Sequence, residues 1–320
     1  MGTKHNHELI FMEPVLQKRI WGGSRLKNEW GYDSEQDKEL GECWAVSCNE
    51  QTDSRVTEGE YRGKHLSQLW REEPELFGRE ADGTEFPLLI KIIDAKENLS
   101  VQVHPNDTYA EEHEYSKGKR ECWYILDCPP NAELIVGTHA KDRDELKRMI
   151  EEKKWDDLLN RIPVKKGDFI QIDPGTIHAI TAGVELLEVQ QNSDVTYRIY
   201  DYDRLQDGSP RQLHLQQGMD VINVSDEISE ESVIHPKSKD NILQRLISTC
   251  DYLVWTIRVN GVASVGRIAN SFLIGSVLEG SGKCNGQLLS KGMHFIVPHD
   301  YSLDRIEGNL RINFAAPVYS

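Results

Sequence analysis

The sequence predicts a mainly β protein built as two β-barrels with a few added α-helices. Short strand-like runs such as "DFIQID", "VELLEVQQ" and "VTYRIYDYD" follow one another between residues 168 and 203, with turn residues between them. From about Ile242 the chain is again β-like, in "YLVWTIRV", "SFLIGSVLEG" and "HFIVP". A faint internal repeat relates "KKGDFIQIDPGTIH" at Lys165 to "SKGMHFIVPHDYSL" at Ser290, which favours two barrels of related design.

The two predicted units differ in size. We expect a larger unit over residues 1–235 and a smaller C-terminal β unit over residues 236–320. The segment Ser225–Asn241 is charged, poor in aliphatic residues and contains a proline, so it predicts a linker or surface loop. The second copy of the repeat lacks the histidine of the first, so we expect a metal site in the larger unit only.

Charge and cysteine usage restrict the partners and the compartment. The chain has 320 residues and a formal net charge of −16, which argues against binding to nucleic acid or to an anionic membrane surface. Its six cysteines include no CxxC pair, as is typical of thiols in a reducing cytoplasm. The N-terminus has no signal pattern, and no apolar run reaches membrane length. We expect a soluble cytoplasmic protein that binds a small molecule and exists as a monomer or weak homodimer.

Three stretches have helical character. Leu66, Leu69 and Trp70 follow helical spacing. Thr108 followed by Glu111 predicts a capping box that opens a short helix. The apolar stripe of residues 142–160 predicts one longer amphipathic helix.

The stretch "SVQVHP" predicts a strand that presents two metal ligands. Alternate side chains of a strand share a face, so Gln102 and His104 point one way while Val101 and Val103 point the other. Pro105 ends the strand, because proline cannot donate to the ladder. An amide oxygen and an imidazole nitrogen on the inner face of a barrel can provide two ligands of a metal.

A second motif supplies another histidine. Gly167-Asp168, a strand, and then the run from Pro174 to His178 resemble the second motif of the cupin superfamily, which implies jelly-roll barrels. Together with Glu121 in "GKRECWYIL", the histidines and the glutamine give a set of two oxygen and two nitrogen ligands. That composition suits Zn²⁺ or another first-row divalent ion better than Ca²⁺ or Mg²⁺.

The combined motifs are similar to those of type I mannose-6-phosphate isomerases (phosphomannose isomerases) of the short bacterial form. The similarity runs from "WGG" through "GECWAVS", "PLLIKIIDAKENLSVQVHP", "GKRECWYI" and "PGTIHAI" to "EVQQNSDVTYRIYDYDR". It covers about the first two-thirds of the chain. The long helical insertion of larger relatives is absent here.

The resemblance implies a full set of site residues. The family's metal ligands, which would hold one Zn²⁺ per chain, fall on Gln102, His104, Glu121 and His178. Its catalytic arginine, the acidic residue ten positions earlier and its site lysine fall on Arg198, Glu188 and Lys119. Its early tryptophan and glutamate, both substrate-binding, fall on Trp21 and Glu42. Arg204 stands where longer members carry a lysine, which keeps the cation but changes its geometry.

These residue types suit aldose–ketose interconversion between mannose 6-phosphate and fructose 6-phosphate. The reaction moves a proton between C1 and C2 through an enediol, and it needs an electrophile, a base and a phosphate site. Arg198 can stabilise enediolate charge or help proton transfer, or it can form a surface ion pair with Asp201 or Asp203. Glu188 can be the base or can orient Arg198.

Some roles stay open at this level. Lys119 and Arg204 are the candidates for the phosphate, although Arg204 can equally be a solvated charge.

Two other functions use similar residues. A non-haem iron oxygenase also uses two histidines and a carboxylate, although Gln102 would fill a position that dioxygen needs. A non-catalytic sugar-phosphate sensor on the same scaffold would bind without turnover.

Overall fold

A computed structural model describes residues 8–32, 39–49, 52–79, 83–224, 228–237 and 239–319. Most of its elements are strands. The strands are β1 (Ile10–Glu13), β2 (Val15–Gly23), β3 (Leu40–Val46), β4 (Arg55–Val56), β5 (Leu88–Asp94), β6 (Val101–Val103), β7 (Glu121–Asp127), β8 (Glu133–Thr138), β9 (Leu159–Pro163), β10 (Phe169–Ile172), β11 (His178–Ala179), β12 (Glu185–Gln191), β13 (Tyr197–Tyr200), β14 (Leu205–Gln206), β15 (Ser209–Pro210), β16 (Val233–Ile234), β17 (Gln244–Ser248), β18 (Tyr252–Ala263), β19 (Leu273–Cys284), β20 (Gln287–Ser290), β21 (His294–Val297) and β22 (Ile306–Pro317).

The described residues also contain short helices. The α-helices are α1 (Arg25–Asn28), α2 (Leu66–Glu72), α3 (Asp107–Glu114), α4 (Arg143–Glu151), α5 (Trp155–Leu158) and α6 (Leu215–Val221), and two 3₁₀ turns cover Pro74–Phe77 and Glu230–Ser232. In the parts of the chain that the structure covers, no helix combines the length and the apolar character needed to cross a bilayer.

Two sheets form the larger unit. A seven-stranded sheet has the order β16-β10-β7-β12-β5-β3-β2, and a five-stranded sheet has the order β13-β6-β11-β8-β9. Apolar side chains from both sheets, such as Trp123 and Leu186 from the first and Leu134 and Val136 from the second, share one buried cluster. The outer face of the five-stranded sheet is covered by α4, α5 and α6. The barrel interior therefore lies between the two sheets.

The C-terminal sheet uses strands from both ends of the chain. Its order is β17-β18-β22-β19-β21-β1-β4, and β20 pairs with the end of β19 on the same edge as β21. Trp255, Ile257 and Val259 of β18 lie in the apolar core of this unit. Tyr252 and Val254 of the same strand lie in a second core that is shared with the seven-stranded sheet. The two units are thus joined by an apolar interface, and β1 and β4 belong to the C-terminal sheet although they precede it by about 200 residues.

Some predicted element boundaries were wrong. The predicted helix over 142–160 is two helices, α4 and α5, separated by Lys153 in a left-handed conformation, and the chain then enters β9. The cap of α3 is Asn106, whose side chain accepts a hydrogen bond from the backbone N–H of Tyr109, and not Thr108. The predicted loop Ser225–Asn241 includes residues 225–227 and 238, which lie outside the described residues, and its middle forms β16.

Candidate metal centre and active-site cleft

The five-stranded sheet places three polar side chains in one row across its inner face. Gln102 on β6 is directly opposite His178 on β11 and Arg198 on β13. Val101 and Val103 are fully buried in the outer apolar cluster. Successive side chains of a strand point to opposite faces of the sheet. Because both valines are buried on the outer face, Gln102 between them points inward.

A tight turn precedes His178 and places its side chain in this row. Gly175 has φ +88°, and a Cβ there would lie 2.9 Å from the carbonyl oxygen of Val221. Glycine is needed because an L side chain meets both a disfavoured backbone conformation and a backbone clash. The turn is also tied to the end of β6, since Gly175 N–H donates to the carbonyl oxygen of His104 at 2.9 Å.

Glu121 faces the row from the opposite sheet. It begins β7 and is fully buried. Its carboxylate oxygens lie 3.4 Å from His104 Nε2 and 3.3 Å from His178 Nε2. The ligand atoms of these three residues all lie within 4.8 Å of one another. Gln102 joins them, with its amide nitrogen 3.3 Å from His178 Nε2.

Backbone carbonyl groups orient both imidazole rings. His104 Nδ1 lies 2.9 Å from the carbonyl oxygen of Val195, and His178 Nδ1 lies 2.9 Å from that of Thr176. A carbonyl oxygen only accepts, so Nδ1 carries the proton and Nε2 presents its lone pair to the centre. Burial lowers the pKa of His104 to about 3 and also lowers the pKa of His178. Both rings are therefore neutral at pH 7, as metal ligands must be.

The donor set fits a divalent cation. Both carboxylate oxygens of Glu121 are buried, and Lys119 Nζ lies 2.9 Å from one of them, while the other has no donor among the described residues. Leaving a buried carboxylate oxygen without a donor is costly unless a further cation balances it. A 180° rotation of the Gln102 side-chain amide exchanges its oxygen and its nitrogen. The amide oxygen then joins the Glu121 oxygen and the two histidine nitrogens as a fourth ligand. A first-row divalent ion prefers this set.

Lys119 stands beside the four ligands. It is almost fully buried, with Nζ 2.9 Å from a carboxylate oxygen of Glu121 and 3.2 Å from His104 Nε2. Burial opposes the charge on Lys119, but the carboxylates of Glu121 and Glu188 outweigh burial and raise the pKa of Lys119. Lys119 is thus a cation beside the four ligands.

Glu188 is held by two neighbours on adjacent strands. In the sheet it is opposite Lys91 on one side and Trp123 on the other. Its carboxylate accepts hydrogen bonds from Lys91 Nζ at 3.2 Å and from Trp123 Nε1 at 3.0 Å. Burial raises the pKa of Glu188, and the charge of Glu121 acts in the same direction. Glu188 is therefore a fixed, buried carboxylate with increased proton affinity.

Gln102, Lys119 and Glu188 line one cleft of about 450 Å³, whereas the fully buried His104, Glu121 and His178 do not line it. Trp21, Glu42 and Trp44 line its wall opposite Gln102 and Arg198. Glu42 accepts hydrogen bonds from Trp44 Nε1 at 2.7 Å and from Arg19 Nη2 at 2.8 Å. The volume matches a ligand of sugar-phosphate size, since small-molecule sites span about 300–1,000 Å³.

Arg198 and Arg204 lie in different environments. Arg198 lines the cleft, donates from Nη1 to the carbonyl oxygen of Gln212 at 2.9 Å, and has a buried Nε without a partner among the described residues. Within the described ranges Arg198 forms no ion pair, so the expected alternative of an ion pair with Asp201 or Asp203 is not seen. Arg204 is not among the residues that line the cleft and pairs with Asp201 at 2.6 Å.

Sequence reasoning missed three cations of the cleft: Arg19, Lys91 and Arg211. Lys91 carried a signal, because it is the one charged residue in the run "LLIKII" of β5 and is 5% exposed. A charged residue inside an apolar strand is rarely buried unless it is paired. Arg211 carried no local signal, because its position depends on the β14–β15 hairpin that precedes it.

Comparison with known proteins gives a consistent result. Residues 9–125 match the model of the catalytic domain of type I phosphomannose isomerases. The mannose-6-phosphate isomerase ManA of Bacillus subtilis strain 168 is 43% identical over 308 residues, which cover 94% of this chain and 96% of ManA. The mannose-6-phosphate isomerase of Streptococcus mutans is 40% identical over 95% of this chain and 97% of its own length.

Solved structures share the fold. The crystal structure of a mannose 6-phosphate isomerase from Bacillus subtilis matches with a TM-score of 0.85 at 39% identity, over 97% of this chain and 99% of that one. A crystal structure of a mannose 6-phosphate isomerase bound with zinc and yttrium matches with a TM-score of 0.76 at 16% identity, over 98% and 100% of the two chains. The predicted mainly β, cupin-like fold is confirmed.

Proposed function

This chain belongs to the type I mannose-6-phosphate isomerase family, and from that premise we propose how its cleft interconverts mannose 6-phosphate and fructose 6-phosphate. One observation carries the proposal. The buried carboxylate of Glu121, one oxygen of which has no donor among the described residues, meets two neutral imidazoles and the amide of Gln102, and Gln102 lines the polar cleft.

We propose that Gln102, His104, Glu121 and His178 hold one Zn²⁺ per chain. When bound, the ion would supply a Lewis acid for the carbonyl and hydroxyl groups of the sugar. The ligand composition supports zinc, and so does the zinc bound to the structural relative. The carbonyl groups of Val195 and Thr176 keep both histidines in the ligating tautomer.

The proton transfer falls to Glu188. Its partners are Lys91 and Trp123 and not Arg198, so the structure favours a base over an orienting role. Burial raises the pKa of Glu188 toward the range in which a carboxylate both takes and returns a proton. The base removes the proton from C2 of the aldose and returns it to C1 through the enediol.

Two cations stabilise the negative charge that develops on the substrate oxygens. Arg198 has an unused buried Nε in the cleft wall, which is a donor for the enediolate oxygens. Lys119, beside the metal ligands, gives a proton to the C1 oxygen and takes one back from the C2 oxygen, or stabilises their charge. Because both groups are fixed before substrate binds, little reorganisation is needed during the reaction.

Substrate binding uses the opposite wall of the cleft. Glu42 and Trp21 contact the sugar, with the carboxylate accepting from a hydroxyl group and the indole packing on the ring. Arg204 contributes through its ion pair with Asp201. We propose that the protein is cytoplasmic and exists as a monomer or weak homodimer. All six cysteines are unpaired, as is usual in a reducing compartment.

The test is a coupled assay of mannose 6-phosphate conversion, in which fructose 6-phosphate is measured before chelation, after chelation and after zinc is returned. We expect activity to disappear with the metal and to return with zinc, equally in air and under anaerobic conditions. Oxygen consumption without isomer formation would assign the cleft to an oxygenase. Tight binding of mannose 6-phosphate without turnover would assign it to a sensor.

A further inference from the structure

The geometry points to Arg211, clamped by Asp201, as the residue that binds the 6-phosphate group of the substrate. This inference rests on the proposed function, because it assumes a sugar phosphate in the cleft. It differs from the expectation that Arg204 contacts the phosphate directly. Arg211 lines the cleft, whereas Arg204 does not.

Asp201 presents Arg211 to the cleft in one orientation. Its carboxylate accepts from Nε of Arg211 at 2.7 Å and also from Nη2. This two-point contact leaves Nη1 of Arg211 without a partner in the part of the chain that the structure describes. The side chain is 14% exposed and the carboxylate 5%, so the clamp is shielded from solvent. A guanidinium held in this way is preorganised to bind an anion.

A second arginine lies next to Arg211. Arg198 donates to the carbonyl oxygen of Gln212, the residue that follows Arg211, and has an unpaired buried Nε. Burial lowers the pKa of Arg198, and the charge of Arg211 acts in the same direction. Two neighbouring guanidinium groups repel each other, and an anion bound by Arg211 reduces that cost.

The local charges match a phosphate group. Arg204 and Arg211 both pair with the buried carboxylate of Asp201, and Arg198 lies near enough to feel its charge without an ion pair. Glu97 adds only a 4.0 Å contact from an exposed side chain to Arg204. About two positive charges are therefore left over, and a phosphate monoester carries nearly two negative charges at pH 7. A protein with a net charge of −16 needs such a local excess to bind an anion.

The loop that carries Asp201 is strained. Tyr202 and Asp203 follow it with φ values of 58° and 53°, and neither is a glycine. Left-handed conformations of such residues cost about 1–2 kcal/mol each. Strain of this kind persists where the surrounding contacts fix it, and it is concentrated at ligand-binding segments. Here the contacts that hold the loop are the ion pairs of Asp201 with Arg211 and Arg204. Asp201 is therefore a positioning residue, because it orients Arg211 and does not itself contact the substrate.

The test compares Arg211→Gln with wild type and with Arg148→Gln, a control on the exposed surface of α4. Three quantities are measured: kcat and KM for mannose 6-phosphate, the inhibition constant of inorganic phosphate, and phosphate binding by calorimetry. We expect Arg211→Gln to raise KM and the inhibition constant by about 10–100-fold, the range for a lost charge-assisted hydrogen bond. Its kcat and zinc content stay within threefold of wild type, and Arg148→Gln behaves as wild type.

Two further variants separate contact from folding. Arg211→Lys keeps the charge but loses the two-point clamp, so its KM lies between those of wild type and Arg211→Gln. Asp201→Asn raises KM in the same direction with little change in kcat, as a positioning role requires.

The outcomes are distinct. The inference is overturned if Arg211→Gln keeps KM and phosphate inhibition within twofold of wild type, or if Arg19→Gln causes the loss instead. A wild type that does not turn over mannose 6-phosphate refutes the proposed function. In that case calorimetry with inorganic phosphate still decides: binding lost in Arg211→Gln supports the anion site, and unchanged binding overturns it.

Discussion

Replacing Lys91 by methionine removes the cation that compensates the proposed base. Lys91 Nζ donates to Glu188 at 3.2 Å and to Gln190 at 2.6 Å, and both carboxylate and lysine are about 95% buried or more. Methionine has a similar length and no charge, so the change leaves the packing nearly intact. The variant therefore isolates the electrostatic role of the lysine.

The expected loss of stability is large. Removing one partner of a buried ion pair costs about 3–5 kcal/mol, because it leaves an uncompensated buried charge. Trp123 Nε1 still donates to Glu188, and this bond prevents a greater loss. The acceptor oxygen of Gln190 also loses its donor, which adds to the cost. We expect the free energy of unfolding to fall by about 3–5 kcal/mol at pH 8.

The loss depends on pH in a fixed direction. Burial already raises the pKa of Glu188, and Lys91 opposes that shift. Without Lys91 the folded-state pKa rises further above the unfolded value of about 4.3. A carboxyl group with a raised folded pKa is fully tolerated below the unfolded pKa, and its penalty grows as the pH rises through the folded pKa. The variant therefore loses less stability at pH 5 than at pH 8.

Urea unfolding of chelated samples at both pH values measures these losses, with all samples free of metal. Glu188→Gln in the Lys91→Met background is the matched control, because it removes the buried charge and keeps the shape. We expect this double variant to recover at least half of the loss at pH 8. A Lys91→Met variant within about 1 kcal/mol of wild type at pH 8, or with equal losses at both pH values, would refute the reasoning.

Three other changes test separate parts of the site. His178→Ala should lose the metal, measured by elemental analysis, and unchanged stoichiometry would remove it from the ligand set. Arg198→Ala should keep the metal yet lose about 100-fold or more in kcat, and full activity would exclude it from the mechanism. Gly175→Ala should cost about 1–3 kcal/mol and weaken zinc affinity, because φ +88° and the carbonyl group of Val221 oppose a side chain. Because burial lowers the pKa of His104 to about 3, metal-free protein should lose stability as the pH falls below about 6.5; stability that is constant from pH 7 to pH 4 would contradict this.

Local periodicity explains why part of the site was predictable. The strand period of two assigned Val101 and Val103 to one face and Gln102 to the other, and the structure has this arrangement. The glycine of "PGTIH" likewise marked a turn that only glycine forms well, and Gly175 has the positive φ that this requires. Such features depend on neighbours in the sequence.

Features that depend on distant partners were missed. Lys91 and Glu188 are 97 positions apart and meet only through the register of β5 and β12. Arg211 reaches the cleft because a strained loop and a hairpin return the chain there. The helix predicted over 142–160 ends early because β9 pairs with β8, and this pairing overrides the apolar spacing. The domain boundary at residue 235 stays a prediction. The strands β1 and β4, which precede that boundary, complete the C-terminal sheet.

The central claim is that four side chains hold one catalytic zinc ion. Chelated protein titrated with zinc, with bound metal and isomerase activity recorded at each addition, tests this claim most directly. We expect both quantities to rise together and to level off at one zinc per chain, and Glu121→Gln to lose both. Full activity in the metal-free protein, or zinc bound equally by Glu121→Gln, would contradict the account.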